Sequence, residues 1–136
     1  MSDSEFKEIY FIQAIQDFQR ARRKADLQEI FSRITGKSTE LLSYEEVRQK
    51  LHLRESGKKE LKEIPLDKIV GSVGRYSDFS RNFLPLQDSA KSRWVSVMVE
   101  TSSLKGLPPI DVYQIGDVYF VLDGNHRVSV ARELGA

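Results

Sequence analysis

Five consecutive apolar residues, Val118-Tyr119-Phe120-Val121-Leu122, run into Asp123-Gly124 and then into a helical stretch ending at Leu134-Gly135. A strand without a polar face is buried on both sides, which requires other elements above and below its sheet. Gly124 breaks the strand, and Gly135 sits where a left-handed helix cap belongs. Upstream, Ile110 to Ile115 has strand composition and Gly116-Asp117 marks a turn. These signals predict an α/β (α+β) unit, a small mixed sheet with packed helices.

The other half of the chain reads as helical. From Glu5 to Thr35 there is no Gly or Pro. Phe11, Ile15, Phe18, Arg22 and Ala25 fall at spacings of three and four, and Leu27, Ile30, Phe31 and Ile34 continue the stripe. The spacing predicts one long amphipathic helix stopped by Gly36, with a bend near Lys24 left open. It carries more apolar side chains than an isolated helix leaves in water, so it must pack on the domain or on a second chain, and a homodimer is expected. Ser43-Tyr44-Glu45-Glu46 is a capping box, predicting a short helix to Leu51 with Val47 and Leu51 inward. Arg54 to Glu63 is charged and holds Gly57, which reads as a connection. The expected division is a helical extension over residues 1–62 and a domain over 63–136. Within the latter, Ile64-Pro65-Leu66 is expected as an edge strand, Gly71 to Leu86 as an ordered loop, and Ser89 to Ser103 as a helix.

Composition narrows the function. Lys+Arg 21 against Asp+Glu 20 gives a net charge of +1, so bulk charge alone does not hold the chain to nucleic acid. The absence of cysteine excludes a disulfide scaffold, a thiol nucleophile and Cys-ligated metal. No apolar run reaches the roughly 20 residues of a membrane span. The acidic start Met1-Ser2-Asp3-Ser4-Glu5 lacks the plan of a signal peptide, so a cytoplasmic protein without a membrane partner is expected.

The turn at Asp123 to Arg127 is the expected site. A helix N-terminus offers free amides and about half a positive charge, and Gly124 admits close approach of a ligand. Arg127 in the first turn opposes the macrodipole, and His126 adds a second potential cation. An anion between them would explain both. The plainer alternative has Asn125 capping the helix and Arg127 pairing with a carboxylate. Asp123 reads either as a turn residue or, more sharply, as a magnesium ligand or general base.

Val118 to Gly135, centred on Val121-Leu122-Asp123-Gly124-Asn125-His126-Arg127 and followed by Ala131-Arg132-Glu133-Leu134-Gly135, resembles the signature of the ParB/sulfiredoxin-like superfamily. Pro109-Ile110-Asp111-Val112 and Ile64-Pro65-Leu66-Asp67-Lys68-Ile69 resemble the family's strand before that motif and its opening strand. The resemblance spans residues 63–136. It implies a small α/β domain whose motif helix receives nucleotide phosphates, with Gly124, Asn125, His126 and Arg127 as the phosphate contacts. The candidate ligands are CTP, ATP and ADP, and magnesium would accompany the nucleotide if Asp123 is a metal ligand.

The departures matter equally. Asn125 stands where sulfiredoxins carry their catalytic cysteine, so sulfinic-acid reduction by that route is excluded. ParB proteins have Glu-Arg where this chain has Asn-His, and they continue into a helix-turn-helix domain. This chain stops at Ala136. The reading leaves open either a fragment of a longer protein or a sheet edge completed by a partner. Members with Asp-Gly-His-His-Arg-like turns are small-molecule kinases or are described as nucleases.

Two classes of function follow. One is a nucleotide-responsive, DNA-associated binding module. The alternative is a phosphotransferase or nuclease in which Asp123 and His126 are catalytic and Asp123 holds metal, with Glu100 or Asp78 as a distant second carboxylate. A third reading is a DNA-associated or protein-interaction domain without ligand. The loop Gly71 to Phe83 places Arg75 and Arg81 as second-tier phosphate contacts, unless Tyr76, Phe79 and Phe83 bury the loop and the arginines pair locally. Arg20, Arg22, Arg23 and Lys24 could touch a nucleic-acid backbone, but Asp17, Asp26 and Glu29 within helical reach favour a solvated face. His52 has no apparent metal partner, and Trp94 is expected in the core.

Overall fold

The apolar run becomes an inner strand. The computed structural model describes residues 3–51, 59–74, 77–103 and 108–135. Their elements are α1 (Asp3–Thr35), β1 (Leu42–Ser43), α2 (Tyr44–Leu51), β2 (Ile69–Ser72), α3 (Lys91–Ser102), β3 (Asp111–Ile115), β4 (Val118–Asp123) and α4 (Asn125–Leu134). The sheet order is β1-β2-β4-β3. β1 and β4 both run parallel to β2, and β3 runs antiparallel to β4. This is the expected mixed α+β fold, with a long N-terminal helix before the sheet.

Side chains alternate across β4. Tyr119 and Val121 join the core with Ile69, Trp94, Met98, Val128 and Val130. Phe120 turns to the other face, where it meets the Tyr44 ring edge-on at 5.7 Å, and Tyr44 stacks on Tyr113 at 4.7 Å. Trp94 lies fully buried, its ring 5.6 Å from that of Phe18. Its indole N–H donates to Ser129 Oγ at 2.8 Å, joining α3 to α4. Ser129→Ala leaves that buried donor unpaired and is expected to destabilise the fold by about 1–3 kcal/mol. Urea unfolding followed by Trp94 fluorescence checks this, and an unchanged midpoint would refute it.

The long helix packs through Ala14, Phe18, Ala21 and Ala25, which are buried beside α3. Phe11, expected on that face, is instead 52% exposed. Small residues at 14, 21 and 25 let α1 lie close to the domain, and Phe18, Ala25 and the partly buried Ile15 of the expected stripe belong to this face. Leu27, Ile30, Phe31 and Ile34 also face solvent. Polar ties fix the helix. Arg22 donates to Asp88 Oδ1 at 3.1 Å and Pro85 O at 3.0 Å, and Lys24 pairs with Glu133 at 3.1 Å. Residues on both sides of the expected boundary near 62 thus share one core.

Gly36 ends α1 with φ 73°, its amide donating to Ser32 O at 2.8 Å. Ser43 Oγ accepts from the Glu46 amide at 3.5 Å, as the capping box predicts. The inward residue of α2, however, is Tyr44; Leu51 is 56% exposed. The aromatic contacts with Tyr113 and Phe120 decide that orientation. No edge strand forms at Ile64-Pro65-Leu66. Pro65 instead precedes a 3-10 turn over Leu66–Lys68, with Lys68 N donating to Pro65 O at 3.1 Å, and β2 begins at Ile69. Gly71 and Ser72, expected in a loop, are the end of that strand. From the expected connection, Lys59 pairs with Asp111 at 2.9 Å and Lys62 donates to Gln114 at 2.9 Å. His52 and the rest of residues 52–58 lie outside the described residues.

Candidate functional site

β4 carries the chain to Asp123, and Gly124 turns it into α4. Gly124 has φ 118° and ψ 26°. A Cβ there would fall 2.5 Å from Ile110 Cγ2 and 2.9 Å from Ile110 Cβ, so both conformation and space require glycine. The first helical bond runs from Val128 N to Gly124 O at 3.0 Å. Among the described residues no side chain caps this end, and the first turn holds no acidic residue. The amides of Asn125, His126 and Arg127 are therefore left outside the helical ladder. Asn125 Oδ1 is buried and has no hydrogen-bond partner among the described residues.

The two basic side chains of this turn go different ways. His126 lines a cleft of about 160 Å³ with Asp78, Gln87, Ser89, Ala90 and Arg93. Its ring stands edge-on to the buried Phe79 ring at 5.1 Å and 88°, which fixes its plane. Arg127 is engaged elsewhere. Its Nη1 donates to Pro108 O at 3.0 Å and Pro109 O at 2.8 Å, and its Nη2 donates to Asp123 Oδ2 at 3.1 Å. Arg127 thereby clamps the segment leading to β3 against the start of α4.

The opposite wall of the cleft is the start of α3. A 3-10 turn over Asp88–Ala90 leads into that helix, whose first turn also lacks an acidic residue and a side-chain cap among the described residues. Arg93 projects there, exposed, with no ion pair or hydrogen bond among the described residues. The cleft thus joins two helix N-termini, a guanidinium, an imidazole and one carboxylate. Helix N-termini with cationic side chains suit an anion, and Asp78 and Gln87 suit hydroxyl or amine groups beside it.

The remaining expected residues lie apart from it. Asp123 is largely exposed and paired with Arg127. Arg81 donates through Nε to Glu40 O at 3.0 Å and through its amide to Thr39 O at 2.7 Å, pinning residues 39–40 to the loop. Phe79 and Phe83 bury that loop as the plainer alternative held, while Arg75 and Tyr76 lie outside the described residues. Glu100 is on the exposed side of α3 and does not line the cleft. Among the described residues no group of three or more His, Asp or Glu side chains is arranged to hold a metal ion. A larger hollow of about 490 Å³ lies at Lys7, Glu8, Phe11, Ile12 and Val99, but it is open and almost wholly apolar, and carries no convergent chemistry. Arg22 and Lys24 of the basic cluster are committed to the ties described above.

Arg93, Gln87 and Ser89 were not singled out from the sequence. The signal was present: Arg93 is a cation in a first helical turn, the same anomaly that marks Arg127. Compared with family models, curated proteins and solved structures, the chain matches none. Among the described residues no helix is long and apolar enough to cross a membrane.

Proposed function

We propose that this chain is a nucleotide- or phosphate-binding module of ParB/sulfiredoxin-like type that holds ligand phosphates at the N-terminus of α4. The supporting observation is the cleft between the starts of α3 and α4, which sets Arg93 and His126 beside two uncapped helix ends. Phosphate oxygens would take the amides of Asn125 and His126 and the Arg93 guanidinium. Asp78, the carboxylate lining the cleft, would meet a ribose hydroxyl or a magnesium ion carried by the nucleotide. Arg127 would hold the turn in shape. A cytoplasmic, DNA-associated setting belongs to this reading and rests on the family likeness alone.

Calorimetric titration with CTP, ATP and ADP, each with and without magnesium, tests the reading. One nucleotide is expected to bind at micromolar Kd, and Arg93→Ala to weaken it at least tenfold with an unchanged circular-dichroism spectrum. No heat from any of the three with folded protein would remove the proposal. The enzymatic alternative is favoured by one observation, the carboxylate of Asp78 and the imidazole of His126 lining the same cleft. It predicts phosphate release that Asp78→Asn abolishes while affinity is kept. Equal release rates in the two proteins would exclude it.

A further inference from the structure

The solvent side of α1 carries a second pattern that the domain does not use. Phe6, Ile9, Gln13, Gln16, Arg20, Arg23, Leu27, Ile30 and Ile34 alternate at spacings of three and four, and all of them are exposed. That is heptad spacing, apolar at both ends, running nearly the length of a helix of about 50 Å. It lies opposite the packing face: Ala25 and Leu27, two residues apart, are about 200° apart around the axis. The two sides of the helix are thus separate surfaces. One is buried on α3, and the other is exposed among the described residues, with Arg20 paired to Asp17 of the same helix at 3.2 Å.

The composition of the seam selects its occupant. Its ends are apolar and its middle is polar. With two copies antiparallel and the two-fold axis at the level of Phe18, each layer finds a compatible partner. Phe6 faces Ile30, Ile9 faces Leu27, Gln13 faces Arg23 and Gln16 faces Arg20 of the second copy. A parallel pairing would instead set Arg20 on Arg20 and Arg23 on Arg23, stacking like charges in the seam. The flanks agree with the antiparallel register, since the acidic first turns of one helix, with Glu5 and Glu8, lie against the partner's end that carries Arg33. Antiparallel macrodipoles add to this. Gln13 already donates to Asp17 at 3.0 Å, which leaves its amide oxygen for the partner's guanidinium. Arg23 makes no ion pair or hydrogen bond among the described residues.

We infer that α1 is a dimerisation helix, and that a second copy of this chain covers its outer face in an antiparallel coiled coil. The polar central positions, Gln13, Gln16, Arg20 and Arg23, set the register at a cost in stability, and the apolar ends supply the association. No residue of the seam lines the cleft at α3 and α4, so this inference stands apart from the nucleotide reading.

Sedimentation equilibrium of the full chain tests it. A dimer is expected at micromolar concentration. The double variant Leu27→Glu/Ile30→Glu should weaken association at least tenfold, with the same helical signal and the same thermal midpoint at matched low concentration. The register has its own test, because the chain contains no cysteine. Mixed Ile9→Cys and Leu27→Cys proteins should form the mixed disulfide on mild oxidation, with little like-to-like product. A monomeric wild type, a double variant that stays dimeric, or like-to-like disulfides as the main product would each overturn the proposal.

Discussion

Gly71→Ala is expected to lower stability by about 3 kcal/mol and the thermal midpoint by about 10 °C. Gly71 sits in β2 with Leu42 of β1 on one side and Phe120 of β4 on the other. A Cβ there would press into the Leu42 carbonyl and fall 2.6 Å and 2.7 Å from Phe120 Cδ1 and Cε1. Neither neighbour can yield. The carbonyl belongs to the adjoining strand, and the Phe120 ring is buried and held by Tyr44. The outcome is either separation of β1 from the sheet or displacement of Phe120. Gly74→Ala is the control, because a Cβ at Gly74 meets nothing within 4 Å. Thermal unfolding of both variants beside the parent measures the difference. Equal midpoints for the two would mean that β1 does not pack as described.

The same position shows what could and could not be read ahead. β4, α3 and α4 were legible because each announces itself within a single window. β4 has an unbroken apolar run, and α4 has helical spacing between two glycines. β1 is two residues long and has no period to detect. It exists because Gly71 has no side chain, so another backbone can come close. The end of β2, Gly71 and Ser72, reads as loop for the same reason, since a glycine in a four-residue strand lowers its apparent propensity. The packing face of α1 was legible in part: Phe18 and Ala25 are buried and Ile15 packs against the core, while Phe11 and the stripe from Leu27 to Ile34 are exposed. Ala14 and Ala21 complete the contact, and alanines give no strong apolar signal in a sequence.

The candidate site was legible where its chemistry is local and hidden where it is assembled. Gly124, Asn125 and His126 follow from a strand running into a helix, and the structure puts a bare helix end there. The Arg127 pairing with a carboxylate was open to the sequence and is met by Asp123, but its other partners, the carbonyls of Pro108 and Pro109, lie 19 and 18 residues away and could not be followed from it. The cleft draws on Asp78, Gln87, Ser89 and Arg93 from segments that only the packing of α3 on α4 brings to His126.

Arg127→Ala is expected to destabilise the fold by about 2 kcal/mol, the scale of a few charge-assisted hydrogen bonds discounted for solvent exposure. Arg127→Lys should do nearly the same harm. A single ammonium on a flexible stem does not reproduce a planar fork reaching two carbonyls and a carboxylate. That near-equality separates a structural clamp from a phosphate contact, for which the retained charge of lysine would preserve much of the function. Nucleotide affinity should fall in both variants as the α4 turn loses its support. Asp123→Asn then decides what the carboxylate does. If Asp123 only neutralises Arg127, removing its charge makes the cleft more positive and tightens nucleotide binding, by about fivefold for a loss of roughly 1 kcal/mol of repulsion across a few ångströms of partly wet surface. If Asp123 holds magnesium, the same substitution weakens binding only when magnesium is present. Titrations of the one variant with and without the ion give opposite signs for the two roles. A clamp carboxylate leaves the magnesium dependence of the parent unchanged, and that is the expected result, because Asp123 bonds to Arg127 and does not line the cleft where the phosphates would lie.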